Sequence, residues 1–222
     1  MGIDWFPLWL SLRVAGLATL VALVLGLWLA YLLANREFRG KEALDAAVTL
    51  PLVLPPKVLG FYLLVLLGRQ SPLGKLYEGI FGAPLVFTWQ AAVVAALIHS
   101  TPLLVKSARA ALESVDRSYE RAARNLGASE WRVFWRVSLP LARRSILAAV
   151  VLAFARSLGD FGITIMVAGN IPGRTQTMAV AIYDAVEAGN GALARALVLV
   201  ISATALAILF FANRLAPKQA SG

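Results

Sequence analysis

The sequence predicts an all-α protein that crosses a membrane several times. Three observations carry that prediction. Of 222 residues, 59% are hydrophobic and 15% are charged, against about 45–50% and about 25% in an ordinary soluble domain. Several apolar runs approach the roughly 20 residues that cross a bilayer core of about 30 Å. The period-two alternation and turn-rich spacing of a membrane barrel are missing.

The elements follow in chain order. The N-terminal MGIDWFPLWLSLRV has no basic region ahead of its apolar stretch and no small-residue cleavage site. It therefore reads as the start of a first span, about 10–34, rather than a cleaved leader. The polar loop NREFRGKEALD precedes a second span, about 47–68, which contains PLVLPPKVLGFYLLVLL. A loop with Gly and Pro (69–84) leads to a third span, about 85–106. The long polar section 107–144 separates it from a fourth span, about 145–167. Segment 176–188 carries Asp184 and Glu187 and is short for a crossing, so it reads as an interfacial or re-entrant helix. The last span covers about 193–213, and 214–222 is a short polar tail.

Lys and Arg in short loops set orientation. Arg36, Arg39 and Lys41 lie in the first loop. Lys106, Arg109, Arg117, Arg121, Arg124, Arg132, Arg136, Arg143 and Arg144 lie in or beside the 107–144 loop, and Arg214 and Lys218 in the tail. The opposite side has Arg69, Lys75, Arg174 and Arg195. Five spans place all the basic segments on one side, which is then the cytoplasm, with the N-terminus outside and the C-terminus inside.

The net charge of +9 would suggest nucleic acid on a soluble protein, but here it follows the positive-inside distribution. Cysteine is absent, which excludes disulfides and thiol chemistry. The single histidine, His99, sits in an apolar run and reads as a packed residue with one hydrogen bond. No metal site is expected. GRQSPLGKL at 68–76 fails the P-loop pattern twice, at Arg69 and Leu76. No ATPase or nucleophile motif is visible, and no cofactor is expected on this chain. Five spans do not easily enclose a gated path, so two copies about a two-fold axis are expected.

Residues 121–140, RAARNLGASEWRVFWRVSLP, are basic and aromatic. Tyr119, Ala122, Ala123 and Leu126 share one helical face, as do Trp131, Phe134 and Trp135 on the next element. Gly127 stands where a helix ends on a positive φ, Ser129 is positioned as an N-cap, and Pro140 ends the element or begins the next span. A DNA-binding helix–turn–helix is disfavoured because the segment is tethered to the membrane at both ends. The spacing E-A-A-x3-G-x9-I-x-L-P resembles this stretch: Ala122, Ala123, Gly127, Leu139 and Pro140 match, Val137 is conservative, and Arg121 stands at the glutamate position with Glu120 one residue early. That pattern is the EAA loop of ABC importer permeases. The resemblance implies the type I ABC importer transmembrane fold over 8–213, with 107–144 as a cytoplasmic coupling loop. It implies that Arg121, Ala122, Ala123, Leu126, Gly127, Ala128, Trp131, Leu139 and Pro140 couple to a cytoplasmic ABC ATPase by docking in a groove on it.

The segments LPLVLPPKVLGFYLLVLLG and FARSLGDFGITIMVAGNIPGRTQT resemble those of molybdate-type permeases, with the sulfate permeases as the related alternative. Asp160 stands where that family has glutamate. The resemblance implies an extracytoplasmic oxyanion-binding protein as a further partner. Charges within spans normally face a partner or a wet cavity. Arg156 and Asp160, four apart, either pair within one helix or line an anion path; Lys57 either snorkels or joins them. Ser157, Thr164, Asn170 and Thr175 are the polar groups in the Gly- and Pro-broken regions that would substitute for an anion's water.

Overall fold

The computed structural model describes residues 4–215. The chain begins with α1 (Phe6–Asn35), whose first turn carries Pro7, where a missing N–H costs nothing. Gly40, at φ 93°, starts α2 (Lys41–Val53). Leu54 is extended, as a residue before proline must be, and α3 (Pro56–Leu67) leaves at 115° to α2. Ser71 caps α4 (Pro72–Phe81) by accepting from the Gly74 N–H, and Thr88 caps α5 (Trp89–Glu113) by accepting from that of Ala91. Asp116 accepts from the Ser118 N–H at the start of α6 (Arg117–Asn125), and that bond holds its carboxyl below the usual carboxylate range. Then come α7 (Glu130–Val133), a π turn (Phe134–Ser138) and α8 (Leu139–Leu158). The last three helices are α9 (Gly162–Val167), α10 (Met178–Glu187) and α11 (Gly191–Leu215).

Two apolar clusters fix the topology. In the first, Leu10, Val14 and Ala18 of α1 meet Ala91, Ala92, Ala95 and Ala96 of α5, together with Leu59 and Leu63 of α3 and Ile163 and Val167 of α9. In the second, Ala30 and Leu33 of α1 meet Leu104, Val105, Ala108 and Leu112 of α5, with Ala142 and Ile146 of α8. The start of α1 therefore packs on the start of α5, and end on end. The two helices run parallel, so the chain between them must cross back. The bent α2–α3 pair supplies that crossing, since Leu44 and Val48 touch the second cluster and Leu59 and Leu67 the first. Helix α8 runs antiparallel to both. Met178 of α10 and Leu197 of α11 pack with Leu8, so α10 stays at the end of the bundle where α1 begins and is not a crossing. Five crossings result. The 36–40 and 114–129 connections share one side, and the 68–88 and 168–190 segments share the other.

Several expected boundaries move. The second span is not straight; it breaks at Leu54–Pro55. The third runs on to Glu113, so the polar connection is far shorter than 107–144. The fourth begins at Glu130 rather than near 145, and stops at Leu158. Pro140 stands in the first turn of α8, as expected of a residue that begins a span, but α8 continues directly from the π turn. Lacking an N–H for the preceding turn, it is absorbed by the π turn, in which the Leu139 N–H reaches the Phe134 carbonyl. The expected tail, apart from Arg214 and Leu215, lies outside the described residues.

The breaks in α3 and α8–α9 touch. A Cβ on Gly162 would stand 2.7 Å from the Cβ of Pro56, and one on Gly60 would stand 2.8 Å from the Cβ of Met166. Two interrupted helices thus nest through missing side chains. Gly162→Ala is expected to destabilise the protein by about 1–3 kcal/mol, because the proline ring it meets is rigid. Gly16→Ala in α1, with nothing within 4 Å of the new methyl, is expected to leave stability unchanged or raise it by up to about 1 kcal/mol. Thermal or detergent-titrated unfolding of the purified variants compares them.

Candidate functional site

The basic connection folds as a knob pinned at its base. Glu120, only 7% exposed, accepts a 2.6 Å hydrogen bond from Ser138 Oγ in the π turn. Arg124 lies 3.3 Å from Glu120 and 2.6 Å from Glu130. One guanidinium thus ties α6 to α7, and its bond to Glu130 raises the Arg124 pKa. Phe134 is buried, with its ring centroid 4.7 Å from that of Tyr31 on α1.

The outer surface of the knob is apolar and unsupported. Leu126 is 89% exposed and Trp131 64%, with Tyr119 and Trp135 also exposed. Gly127 has φ 83°, and its N–H and that of Ala128 close the helix end onto the Arg124 and Ala123 carbonyls. Arg121 and Ala122 are exposed, Ala123, Ala128 and Leu139 half-buried, and Pro140 exposed. Tyr119, Ala122, Ala123 and Leu126 therefore form an outward face, not a packed one. Ser129 precedes α7 but its hydroxyl makes no cap bond. The inward carboxylate is Glu120, one residue before the position where the spacing places a glutamate, while Arg121 faces out.

At the far end of α8 lies a polar cluster among apolar helices. Asp160 is 3% exposed. Its Oδ1 is 2.7 Å from His99 Nδ1, and its Oδ2 accepts from the Thr164 N–H at 3.1 Å and from the Thr164 hydroxyl. The carboxylate so caps the first turn of α9, where negative charge is favoured. The other ring nitrogen of His99, Nε2, meets the Arg156 guanidinium. Arg156 and Lys offer only donors, so the consistent tautomer has Nδ1–H donating to Asp160 and Nε2 accepting from Arg156.

Arg156 and Asp160 do not pair directly, because α8 ends at Leu158 and the chain turns at Gly159. His99 bridges them instead. Its expected role as a packed residue with one bond is therefore corrected; it has two ionic partners drawn from 57 and 61 residues away. The buried hydroxyl of Ser157, beside this cluster in sequence, has no hydrogen-bond partner among the described residues. Lys57 is exposed in the first turn of α3, with no ion pair among the described residues. Asn170 does not join the cluster. Its amide donates to Asp184 at 2.8 Å and its carbonyl accepts from Gln176 at 2.8 Å. Thr175 is buried and uses its hydroxyl to accept from the Ile171 N–H.

No set of His and acidic side chains suited to a metal ion occurs among the described residues. The arrangement offers positioned donors and a stiff connection between the two ends of α8, and no nucleophile with an activating base.

The profile of the family described as "Binding-protein-dependent transport system inner membrane component" matches residues 22–220. The chain is 46% identical to the "Molybdenum transport system permease protein ModB" of Escherichia coli (strain K12) over 199 residues, 90% of this chain and 87% of that one. It is 36% identical to the "Probable sulfate transport system permease protein cysT" of Chlorokybus atmophyticus, over 91% of this chain and 71% of that one. A solved inward-facing structure of the MetNI methionine ABC transporter superposes with a TM-score of 0.75 at 17% identity, covering 95% of this chain and 93% of that chain. At that identity the likeness shows the fold alone, one shared with a chain of an ABC transporter.

The His99 bridge makes a sharp prediction. His99→Leu strands a buried carboxylate and is expected to destabilise the protein by about 3–5 kcal/mol. Asp160→Asn keeps an acceptor for Thr164 and carries no charge, so it is expected to cost less. Unfolding midpoints of the two variants, measured side by side, give the ranking.

Proposed function

The chain belongs to the binding-protein-dependent transport system inner membrane components, and on that premise we propose that it is the permease subunit of an ATP-driven importer of molybdate. Two copies would form the transmembrane path, a cytoplasmic ABC ATPase would supply the energy, and an extracytoplasmic binding protein would deliver the anion. The 46% identity to a molybdenum permease over nine-tenths of the chain carries the substrate reading; the sulfate relative is more distant at 36%. Tungstate has the same tetrahedral dianionic chemistry and is the expected alternative cargo.

The orientation rests on charge. The side bearing the 36–40 and 114–129 connections carries Arg36, Arg39, Arg117, Arg121 and Arg124, with Lys106, Arg109 and Arg132 at the adjoining helix ends. By the positive-inside rule that side is cytoplasmic, which puts the N-terminus outside and the end of α11 inside. The bilayer surrounds the exposed apolar faces, and the basic charge needs no nucleic acid to explain it.

The knob supplies the coupling. Leu126, Trp131 and Tyr119 present an apolar surface ringed by Arg117 and Arg121, the form that seats a short helix in a partner's groove. Its base is fixed by Glu120, Ser138 and Arg124. From Glu130 to Leu158 the helix is unbroken for 29 residues, about 43 Å at 1.5 Å per residue. A displacement of the knob by ATPase closure would therefore reach Arg156, His99 and Asp160 as movement of one rod. There the two helix breaks meet, and Arg156, Ser157 and Lys57 would offer a passing anion donors without a deep well. Asn170 would act away from that point, at the outer face.

Reconstitution with the ATPase and binding protein, followed by ATP-dependent uptake of radiolabelled molybdate against tungstate and sulfate, tests the reading. Molybdate and tungstate are expected to compete and sulfate to compete poorly; uptake that ignores ATP would reject it. Leu126→Asp is a separate test of the knob. Since Leu126 packs on nothing in this chain, unfolding should be unchanged, while co-purification with the ATPase and uptake should both be lost.

A further inference from the structure

The outer end of the bundle holds a cavity of about 400 Å³ into which two arginines, Arg13 and Arg174, open. It lies where α1 and α5 begin, on the side away from the knob, and its wall includes Trp9, Trp89 and Thr88. The Arg13 guanidinium carbon stands 3.9 Å from the Trp89 ring centroid and 5.1 Å from that of Trp9. Stacking uses the face of a guanidinium and leaves its N–H groups pointing outward in the plane. Arg174 is carried on a closed turn: the N–H groups of Arg174, Thr175 and Gln176 all bond to the Ile171 carbonyl, Thr175 Oγ1 accepts from the Ile171 N–H, and Gly173 has φ 70°.

Neither guanidinium has an ion pair or hydrogen bond among the described residues. Of the carboxylates on this face, Glu187 is exposed and outside the cavity wall, and the others are engaged elsewhere. Asp4 accepts from the Phe6 N–H, Glu78 pairs with Arg69, and Asp184 accepts from Asn170 and Gln176. Two like charges opening into one cavity repel, and a doubly charged anion between them reverses the sign of that interaction. Arginine forks match tetrahedral oxyanions with paired N–H donors. The cavity is also tied to the interior. Phe87, in its wall, has φ 60°, a conformation rarely adopted by a residue with a side chain; its N–H donates to the Val167 carbonyl at the end of α9, at 2.8 Å.

We propose that Arg13 and Arg174 form an outer oxyanion site, which holds a tetrahedral dianion at the mouth of the bundle before it passes inward. The inference rests on the importer reading for its choice of anion. It differs from an interfacial belt of aromatics and basic side chains, which would attract any anion weakly and without saturation.

The test is equilibrium dialysis of radiolabelled molybdate against the full chain in nanodiscs of phosphatidylcholine, with no ATPase or binding protein present. Saturable binding is expected, displaced by tungstate and not by chloride at equal ionic strength. Arg13→Gln and Arg174→Gln are each expected to weaken it at least about tenfold, the order of one lost charge-assisted hydrogen bond. Lys75→Gln, on the same face and outside the cavity wall, should leave binding unchanged. If Arg174→Gln fails to assemble, Arg13→Gln decides, since that side chain is exposed. Binding that survives both arginine variants, or that chloride matches, overturns the site. Such a failure with ATP-driven molybdate uptake intact leaves the importer reading standing, whereas a saturable site in a complex with no molybdate uptake removes the importer reading alone.

Discussion

A carboxylate cannot stay charged in an apolar interior without close donors, and much of this molecule's interior is arranged around that constraint at Asp160. Helix α8 ends at Leu158 and α9 starts at Gly162, so the carboxylate sits at a helix start, capping Thr164, rather than on the side of a continuous helix. His99 reaches it from α5, and Arg156 reaches His99 from α8. Each group satisfies one need of the next. The same break requires α3 to come close, and Gly60 and Gly162 permit it. The bend at Pro55–Pro56 then places α3 across the bundle. The charge, the two helix interruptions and the glycine contacts are therefore one feature rather than three.

The opposite end of α8 uses a similar device in a wetter setting. Glu120 is buried against Ser138 and bridged by Arg124 to Glu130. Directional, charge-assisted bonds thus hold both ends of the rod, while its middle packs through small and aliphatic residues such as Ala142, Ile146, Ala149 and Ala153. Hydrogen bonds fix position at the ends. Small residues in between allow close helix approach, which is how helices associate where lipid removes the hydrophobic drive. Leu126 is left almost fully exposed, while the exposed Trp131 ring meets only its neighbours Phe134 and Trp135 among the described aromatic rings.

Much of the architecture was legible in sequence because apolar length is a local property. Five crossings, the α10 segment as a non-crossing and the positive φ at Gly127 all follow from local pattern. The errors come from contacts that pattern does not encode. Pro140 does stand in the first turn of α8, but the π turn before it joins α8 to α7, so the helical segment starts at Glu130. Arg156 and Asp160 looked like an i, i+4 pair, but Gly159 ends the helix between them. His99 looked inert because its partners lie 57 and 61 residues away. One signal was available: a lone histidine in an apolar run implies a buried polar partner, and Asp160 was the nearest unexplained acid in a span. Glu120 rather than Arg121 turned inward because helix phase, not the motif register, decides which side chain faces Ser138. Asn170 was grouped with Asp160 by chain proximity, yet α9 and the turn that follows it carry Asn170 away to Asp184.

Positive charge is treated differently at the two ends of the bundle. At the end of the bundle that carries the knob, Lys106 and Arg109 both bind Asp45, Arg109 also binds Glu113, and Arg124 binds two glutamates. Those within the bundle are held apart, Arg156 on His99 and Lys57 at the start of α3. Among the described residues, Arg13 and Arg174 open unpaired into one cavity at the other end of the bundle. A path with strong anion affinity throughout would trap its cargo, and one with none could not replace the anion's water. Affinity concentrated at the mouth, with isolated donors deeper in, satisfies both requirements. On the proposed reading, displacement of the knob rather than a binding well would decide when the anion moves.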